Sequence, residues 1–212
     1  REAGTTPYRL GDQDLSLFFG QSSFSQYVVT RASNAVVVDP EVDLTLLGPL
    51  GCGIQTGSGT VLNRLKPVVG ESLVVFGCGA VGLSAIMAAK LTGCSQIIAV
   101  DIHASLALAG ELGDTHQING KEQDAVDVIK QITGKGAHYA VETTGVSAIV
   151  LQAVHAVKPL GTVAIVGFTG DITLNVQNDL MAEGKSLVGV IEGDAVPALF
   201  IPLLVQQYKQ GK

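Results

Sequence analysis

The hydrophobic positions along the chain change texture near residue 56. Before it, "QYVVTR" (26–31) and "NAVVVD" (34–39) are short β-branched runs separated by "ASN", the pattern of antiparallel strands in a small β unit. After it, continuous apolar runs alternate with helical patterns. "SLVVF" (72–76) precedes "AVGLSAIMAAKL" (80–91), "QIIAV" (96–100) precedes "ASLALAGEL" (104–112), and "HYAVE" (138–142) precedes "VSAIVLQAVHAV" (146–157). "GTVAIV" (161–166), "SLVGV" (186–190) and "VPALFIPLLVQQY" (196–208) close the series. Strands without a polar face meet no water on either side, so the pattern predicts a doubly wound α/β parallel sheet from about Gly57 onward. No internal repeat or low-complexity linker interrupts it.

Composition narrows the class. With 212 residues, 47% of them hydrophobic and 15% charged, the chain can bury one good core and part of another. A formal net charge of −6 with no basic run argues against nucleic acid as a partner. No apolar stretch approaches the ~20 residues that span a bilayer, and the opening "REAGTTPYRL" lacks the apolar region of a signal peptide. No membrane partner is therefore expected, and the expected location is cytoplasmic. Cys52, Cys78 and Cys94 form neither a C-x-x-C pair nor an even-numbered framework, which suits a reducing compartment. The start at Arg1 and the stop at "YKQGK" (208–212) both read as cut ends.

The strongest chemical signal lies at the first strand-to-helix turn of the expected sheet. "LVVFGCGAVGLSAI" (73–86) places Gly77, Gly79 and Gly82 in G-x-G-x-x-G directly after an apolar strand, with Cys78, Ala80 and Val81 between them. Gly77 permits the tight turn, Gly79 lets the backbone approach a pyrophosphate, and Gly82 lets helix and strand pack closely. The N–H groups of the helix start then face an anion. "QIIAV" ends in Asp101, 24 residues after Gly77, where a carboxylate accepts hydrogen bonds from the adenosine ribose hydroxyls. That carboxylate repels the extra phosphate of NADP, and "IHASLALAG" (102–110) has no Arg or Lys to receive one, so NAD is favoured. The plainer alternative makes Asp101 the cap of the next helix.

Other chemistries lack their signatures. No G-x-S-x-G elbow, G-x-x-x-x-G-K-[ST] loop or H-E-x-x-H helix occurs. Tyr208 and Lys212 have the four-residue spacing of a short-chain dehydrogenase, but Gly211 lies between them and the spacing reads as coincidence. His103 falls at the adenosine end, and His116, His138 and His155 have no carboxylate or Cys at ligand spacing, so they read as structural or exposed. Cys94 reads as a buried filler. Cys52, in "LLGPLGCGIQTGSG" (46–59), is left by its neighbours as metal ligand, nucleophile or small core residue.

"GPLGCGIQTGSG", "VVFGCGAVGLSAIMAAKLTGCSQIIAVDI", "VETTG", "GTVAIVG" and "GVIEGDAVP", in that order, resemble the zinc-dependent medium-chain alcohol dehydrogenases, and within them the aryl-alcohol (benzyl alcohol) type. The resemblance runs from about Phe18. It implies that 1–56 is the end of a GroES-like β catalytic domain and 57–212 a Rossmann NAD-binding domain. It implies an enzyme that passes a hydride from an alcohol to NAD with the help of zinc, giving an aldehyde, and a homo-oligomer that meets along the sheet edge from "GTVAIVG" to "SLVGV". Residue by residue, Cys52 matches a catalytic zinc ligand, Thr56 a residue touching the nicotinamide, and Gly77, Gly79 and Gly82 the pyrophosphate loop. Asp101 matches the ribose anchor, Val166 the side chain behind the nicotinamide, with Phe168 just beyond, and Glu192 a position whose main chain meets the carboxamide. The family's other zinc ligands have no counterpart here, so Cys52 is expected to stand alone, and Leu106 stands near the place where a basic residue is frequent.

Overall fold

The computed structural model describes residues 9–15, 26–28 and 30–211. Its centre is a six-stranded, wholly parallel sheet in the order β5-β4-β3-β6-β7-β8. The strands are β3 (Ser72–Phe76), β4 (Gln96–Asp101), β5 (His116–Asn119), β6 (Ala137–Glu142), β7 (Val157–Ile165) and β8 (Ser186–Gly189). Helices α2 (Ala80–Thr92), α3 (Ser105–Leu112), α4 (Ala125–Thr133) and α5 (Ser147–Ala156) make the crossovers between strands, and α6 (Pro197–Lys209) follows the last of them. This is the doubly wound Rossmann arrangement, whose strand order reverses between β3 and β6.

Local chemistry accounts for the elements. β3 is buried at all five positions, and alternate residues serve opposite cores. Leu73 and Val75 pack with Ile86, Ile97 and Val141 on one face, whereas Val74 and Phe76 pack with Ile98, Ile118, Ile129 and Val154 on the other. Helix α2 stops at Gly93, whose φ of 80° is left-handed and lets its N–H reach Lys90 O (3.1 Å) while that of Cys94 reaches Ala89 O (3.2 Å). Asp124 caps α4 by accepting from the Asp127 N–H at 3.1 Å. Two elements escaped the apolar alternation: β5, "HQIN", fully buries only Ile118, and α4 is amphipathic, fully burying Ala125 and Ile129.

The N-terminal stretch differs from the sequence expectation. Neither "QYVVTR" nor "NAVVVD" forms a strand among the described residues, and Val29 lies outside them. The only antiparallel pairing described here joins β1 (Arg9–Leu10) to β2 (Gln13–Asp14). A strand needs a neighbour for its backbone groups. Val36 and Val38 instead pack as irregular chain on a small apolar cluster of Val42, Leu50, Phe200, Ile201, Leu204 and Val205, which ties this segment to α6. Helix α1 (Gly53–Gly59) runs across residue 56 and widens into a π-helical turn over Thr60–Leu65, ending at Lys66 (φ 51°) just before Pro67.

Candidate functional site

The loop after β3 opens at the point where the strand order reverses, the place where an open α/β sheet leaves a crevice. Gly77 has φ 93°, and a Cβ on Gly82 would stand 1.8 Å from Gly77 O, so both positions require glycine as the motif predicts. Above Gly79 there is open space: a Cβ there would meet nothing within 4 Å. Across the crevice, Thr143 Oγ1 donates to Phe76 O (2.9 Å) and Gly77 O (3.0 Å), joining the turn after β6 to the loop. That turn is built by Glu142, a fully buried carboxylate whose Oε1 accepts from the N–H groups of Thr144 (2.7 Å) and Gly145 (3.1 Å) and from the Thr144 hydroxyl.

Asp101 ends β4 beside the same loop. Its Oδ2 accepts from the Cys78 N–H at 2.5 Å, and its Oδ1 from those of Ile102 (2.6 Å) and His103 (2.9 Å). The carboxylate therefore braces the glycine loop and the turn before α3, while helix α3 itself begins after Ala104 with no side-chain cap. The Ser105 hydroxyl donates to Oδ2 as well, at 3.4 Å, so that in this structure each of the roughly four lone-pair sites of the carboxylate faces a donor. Cys78 contributes only backbone, because its side chain is fully buried and burial, followed by the charges of Asp101 and Asp114, pushes the thiol up to about 12.

Helix α1 lies across the start of α2. A Cβ on Gly57 would stand 1.9 Å from Val81 O, and one on Gly53 would touch Ala80 at 3.7 Å, so glycines let the two backbones meet. This brings Thr56, almost wholly buried, and the exposed Cys52 to the loop's end of the sheet. Val166, half-buried, follows β7 with its N–H bonded to Glu142 O at 2.9 Å, whereas the Phe168 side chain is fully exposed. Leu106 is half-buried against the α2-side core.

Cys52 has a carboxylate beside it. Glu192, 140 residues away, presents Oε1 at 3.8 Å from the Cys52 Sγ, and its Oε2 accepts from Gln55 Nε2 (2.9 Å) and Thr56 Oγ1 (3.5 Å). Burial, then the neighbouring Glu192 carboxylate, raises the Cys52 thiol above its ordinary value. The meeting is fixed by backbone packing. Glu192, Gly193 and Asp194 have φ of 50°, 67° and 48°, and a Cβ on Gly59 would stand 2.5 Å from Gly193 O. Asn63 Nδ2 donates to Gly193 O at 3.0 Å, and Arg64 pairs with Asp194 at 3.5 Å.

The remaining candidates are structural. His138 binds Ser72 at the opposite end of the sheet, His155 pairs with Asp179 at 3.1 Å, and His116 is exposed beside Thr115. Cys94 is half-buried near Thr92. Lys212 lies outside the described residues.

The open cradle over Gly79, with the Asp101 carboxylate at the end of β4 beside it, fits a dinucleotide. For zinc the donor types fit and the number does not: among the described residues no three His, Cys, Asp or Glu side chains gather, and a catalytic site takes about three protein ligands.

The pattern of a family described as "Zinc-binding dehydrogenase" matches residues 80–206. A geraniol dehydrogenase of Castellaniella defragrans is 42% identical over 204 residues, covering 93% of this chain and 54% of that protein. A probable alcohol dehydrogenase of a Pseudomonas species is 45% identical, covering 87% and 61%. Among solved structures, a benzyl alcohol dehydrogenase from Acinetobacter calcoaceticus superposes with a TM-score of 0.87 at 50% identity, covering 90% of this chain and 54% of that one. An alcohol dehydrogenase zinc-binding domain protein from Burkholderia ambifaria gives 0.88 at 50% identity, covering 92% and 53%. The chain thus spans little more than half the length of these relatives. A family pattern over more than half its residues, and two solved relatives sharing half its aligned sequence, place this chain in the zinc-binding dehydrogenase family.

Proposed function

We propose that this chain is the nucleotide-binding part of an NAD-dependent alcohol dehydrogenase that oxidises an aromatic or other primary alcohol to its aldehyde. One observation carries the reading: a glycine cradle with open space over Gly79 lies at the strand-order reversal, with α1 laid across its helix. The named relatives, a geraniol and a benzyl alcohol dehydrogenase, support the alcohol class. We take 1–56 as the end of the catalytic domain and 57–212 as the nucleotide domain, in a cytoplasmic homo-oligomer.

In this reading the N–H groups at the start of α2 receive the pyrophosphate, and Asp101 accepts from the ribose hydroxyls and disfavours a 2′-phosphate. Thr56 and Val166 hold the nicotinamide, with Phe168 beyond, and Cys52 is a thiol donor for zinc. Bound NAD supplies the hydride acceptor and zinc the Lewis acid. With Cys52 the one zinc donor assigned among the described residues, a second reading holds for the isolated chain: it binds NAD without turnover.

Calorimetric titration with NAD and NADP tests the nucleotide assignment. NAD is expected to bind more tightly, and Asp101→Ala to weaken it about tenfold, ~1.4 kcal/mol, while narrowing the preference. Unchanged affinity in the variant overturns the ribose assignment. Benzyl alcohol with NAD, assayed alongside zinc analysis, separates the two readings, since turnover by the zinc-loaded chain removes the second.

A further inference from the structure

We propose that Glu142 is a positioning residue for the nicotinamide half of the dinucleotide: its buried carboxylate shapes the turn that fixes the end of β7 relative to the glycine loop. The proposal rests on the reading of the crevice as a dinucleotide site and adds to it a side chain which that reading leaves without a role.

Glu142 ends β6, the strand paired with β3 at the reversal of strand order. It is fully buried, and a buried carboxylate is unfavourable unless hydrogen bonds replace its water. Among the described residues its side-chain partners all belong to Thr144 and Gly145, and none is a cation. Oε1 accepts from the Thr144 N–H (2.7 Å), the Thr144 hydroxyl and the Gly145 N–H (3.1 Å), and Oε2 faces that last N–H at 3.3 Å. The carboxylate therefore closes the 142–145 turn on itself.

That turn touches both halves of the crevice. On one side the Thr143 N–H donates to Phe76 O at 3.0 Å, and the Thr143 hydroxyl donates to Phe76 O and Gly77 O. On the other, Glu142 O accepts from the N–H groups of Val166 (2.9 Å) and Gly167 (3.1 Å). A Cβ on Gly145 would stand 2.4 Å from Phe168 O, so the turn and the 166–168 segment meet backbone to backbone. The two sides are not equally braced. The glycine loop has supports of its own, since the Gly77 N–H bonds to Val100 O at 2.8 Å and the Cys78 N–H to Asp101. Val166 and Gly167 lie past the β7–β8 pairing, which ends at Ile165, and both of their N–H groups go to Glu142. Loosening the turn therefore leaves the pyrophosphate cradle in place and lets Val166, the side chain assigned to the nicotinamide, drift. A ligand that spans both ends depends on their spacing to within about 0.5 Å.

Calorimetric titration of the 212-residue chain with NADH and with ADP-ribose tests the assignment, because the two ligands carry the same charge and differ by the nicotinamide ring. Glu142→Gln keeps the shape of the side chain, removes its charge and sets an N–H donor among donors. NADH affinity is expected to fall about tenfold, and ADP-ribose affinity to stay within about twofold. Thr144→Val deletes a hydroxyl that donates to Oε1 and should shift the ratio the same way, while Thr144→Ser keeps the donor and the wild-type ratio. Urea midpoints verify that each variant is folded, and a purely structural role would change both affinities alike or neither. Equal factors for the two ligands, or unchanged NADH affinity, in Glu142→Gln overturn the proposal and leave the dinucleotide reading standing. If that variant does not fold, the same outcomes in Thr144→Val overturn it. A wild-type chain that binds NADH no tighter than ADP-ribose also overturns the proposal, and one that binds neither overturns the dinucleotide reading with it.

Discussion

His138 shows how a side chain without a catalytic part can set the protein's response to pH. Its Nδ1 lies 3.1 Å from the Ser72 N–H and 2.8 Å from the Ser72 hydroxyl, so the ring must present a lone pair there and be neutral. Burial first, then Lys158, lowers its pKa, while Glu71, 4.0 Å from Nε2, opposes them. A His held neutral binds fewer protons folded than unfolded. Its contribution is therefore complete above the unfolded value of about 6.5 and is lost as pH falls through the lowered folded value. Urea midpoints measured from about pH 5 to 8 should drop on the acid side in the wild type, and the His138→Asn difference should flatten there. The sequence marks His138 as structural or exposed but cannot reveal Ser72, its partner on the neighbouring strand. The side-chain contact of Glu192 escaped for the same reason. Its neighbour Cys52 is 140 positions away, and no local spacing encodes a contact made by a turn with three successive positive φ values.

Among the elements, glycines do two different things that one motif does not distinguish. Gly57 exists for packing: a methyl there would drive into Val81 O, so Gly57→Ala should cost about 1–3 kcal/mol by urea unfolding as α1 lifts from α2. Gly79 has no such packing duty. Its φ of −77° suits any residue and its surroundings are open, so Gly79→Ala should keep the urea midpoint within about 0.5 kcal/mol while NAD affinity falls about tenfold in calorimetry. A clash in the unliganded protein would show instead as lost stability. Strands β3, β4, β6 and β7 were legible because buried parallel strands are apolar, and β8 from its apolar run alone, since at the edge of the sheet none of its four residues is fully buried. Edge strand β5 was not, since only Ile118 of its four residues is fully buried and the rest look like a loop. Nor were the N-terminal strands reliable, because β-branched residues favour a strand only where a partner strand is available.

On the scale of the molecule, the sheet ends in two edge strands among the described residues, β5 and β8. β8 pairs only with β7 among the described residues, and Phe168, Met181 and Ile191 are exposed close by in sequence. Unpaired backbone beside apolar side chains favours association between copies. Light scattering after size exclusion should give a mass about twice 21.9 kDa, and a monomer at micromolar concentration would remove the homo-oligomer from the proposed function. The sequence displayed the order and class of this architecture through the glycine loop and the apolar strands, while its long-range meetings emerged only in three dimensions. One of them bears on the lifetime of the protein under oxidative stress. The string "FGCGA" (76–80) sets a cysteine in the loop where the nucleotide is proposed to bind, next to the open space over Gly79. Cys78 is turned wholly inside, with its proton held up to about 12. Peroxide attacks the thiolate, so the loop stays chemically silent while the domain remains folded, and of the three thiols only that of Cys52 is exposed, itself raised by burial and Glu192.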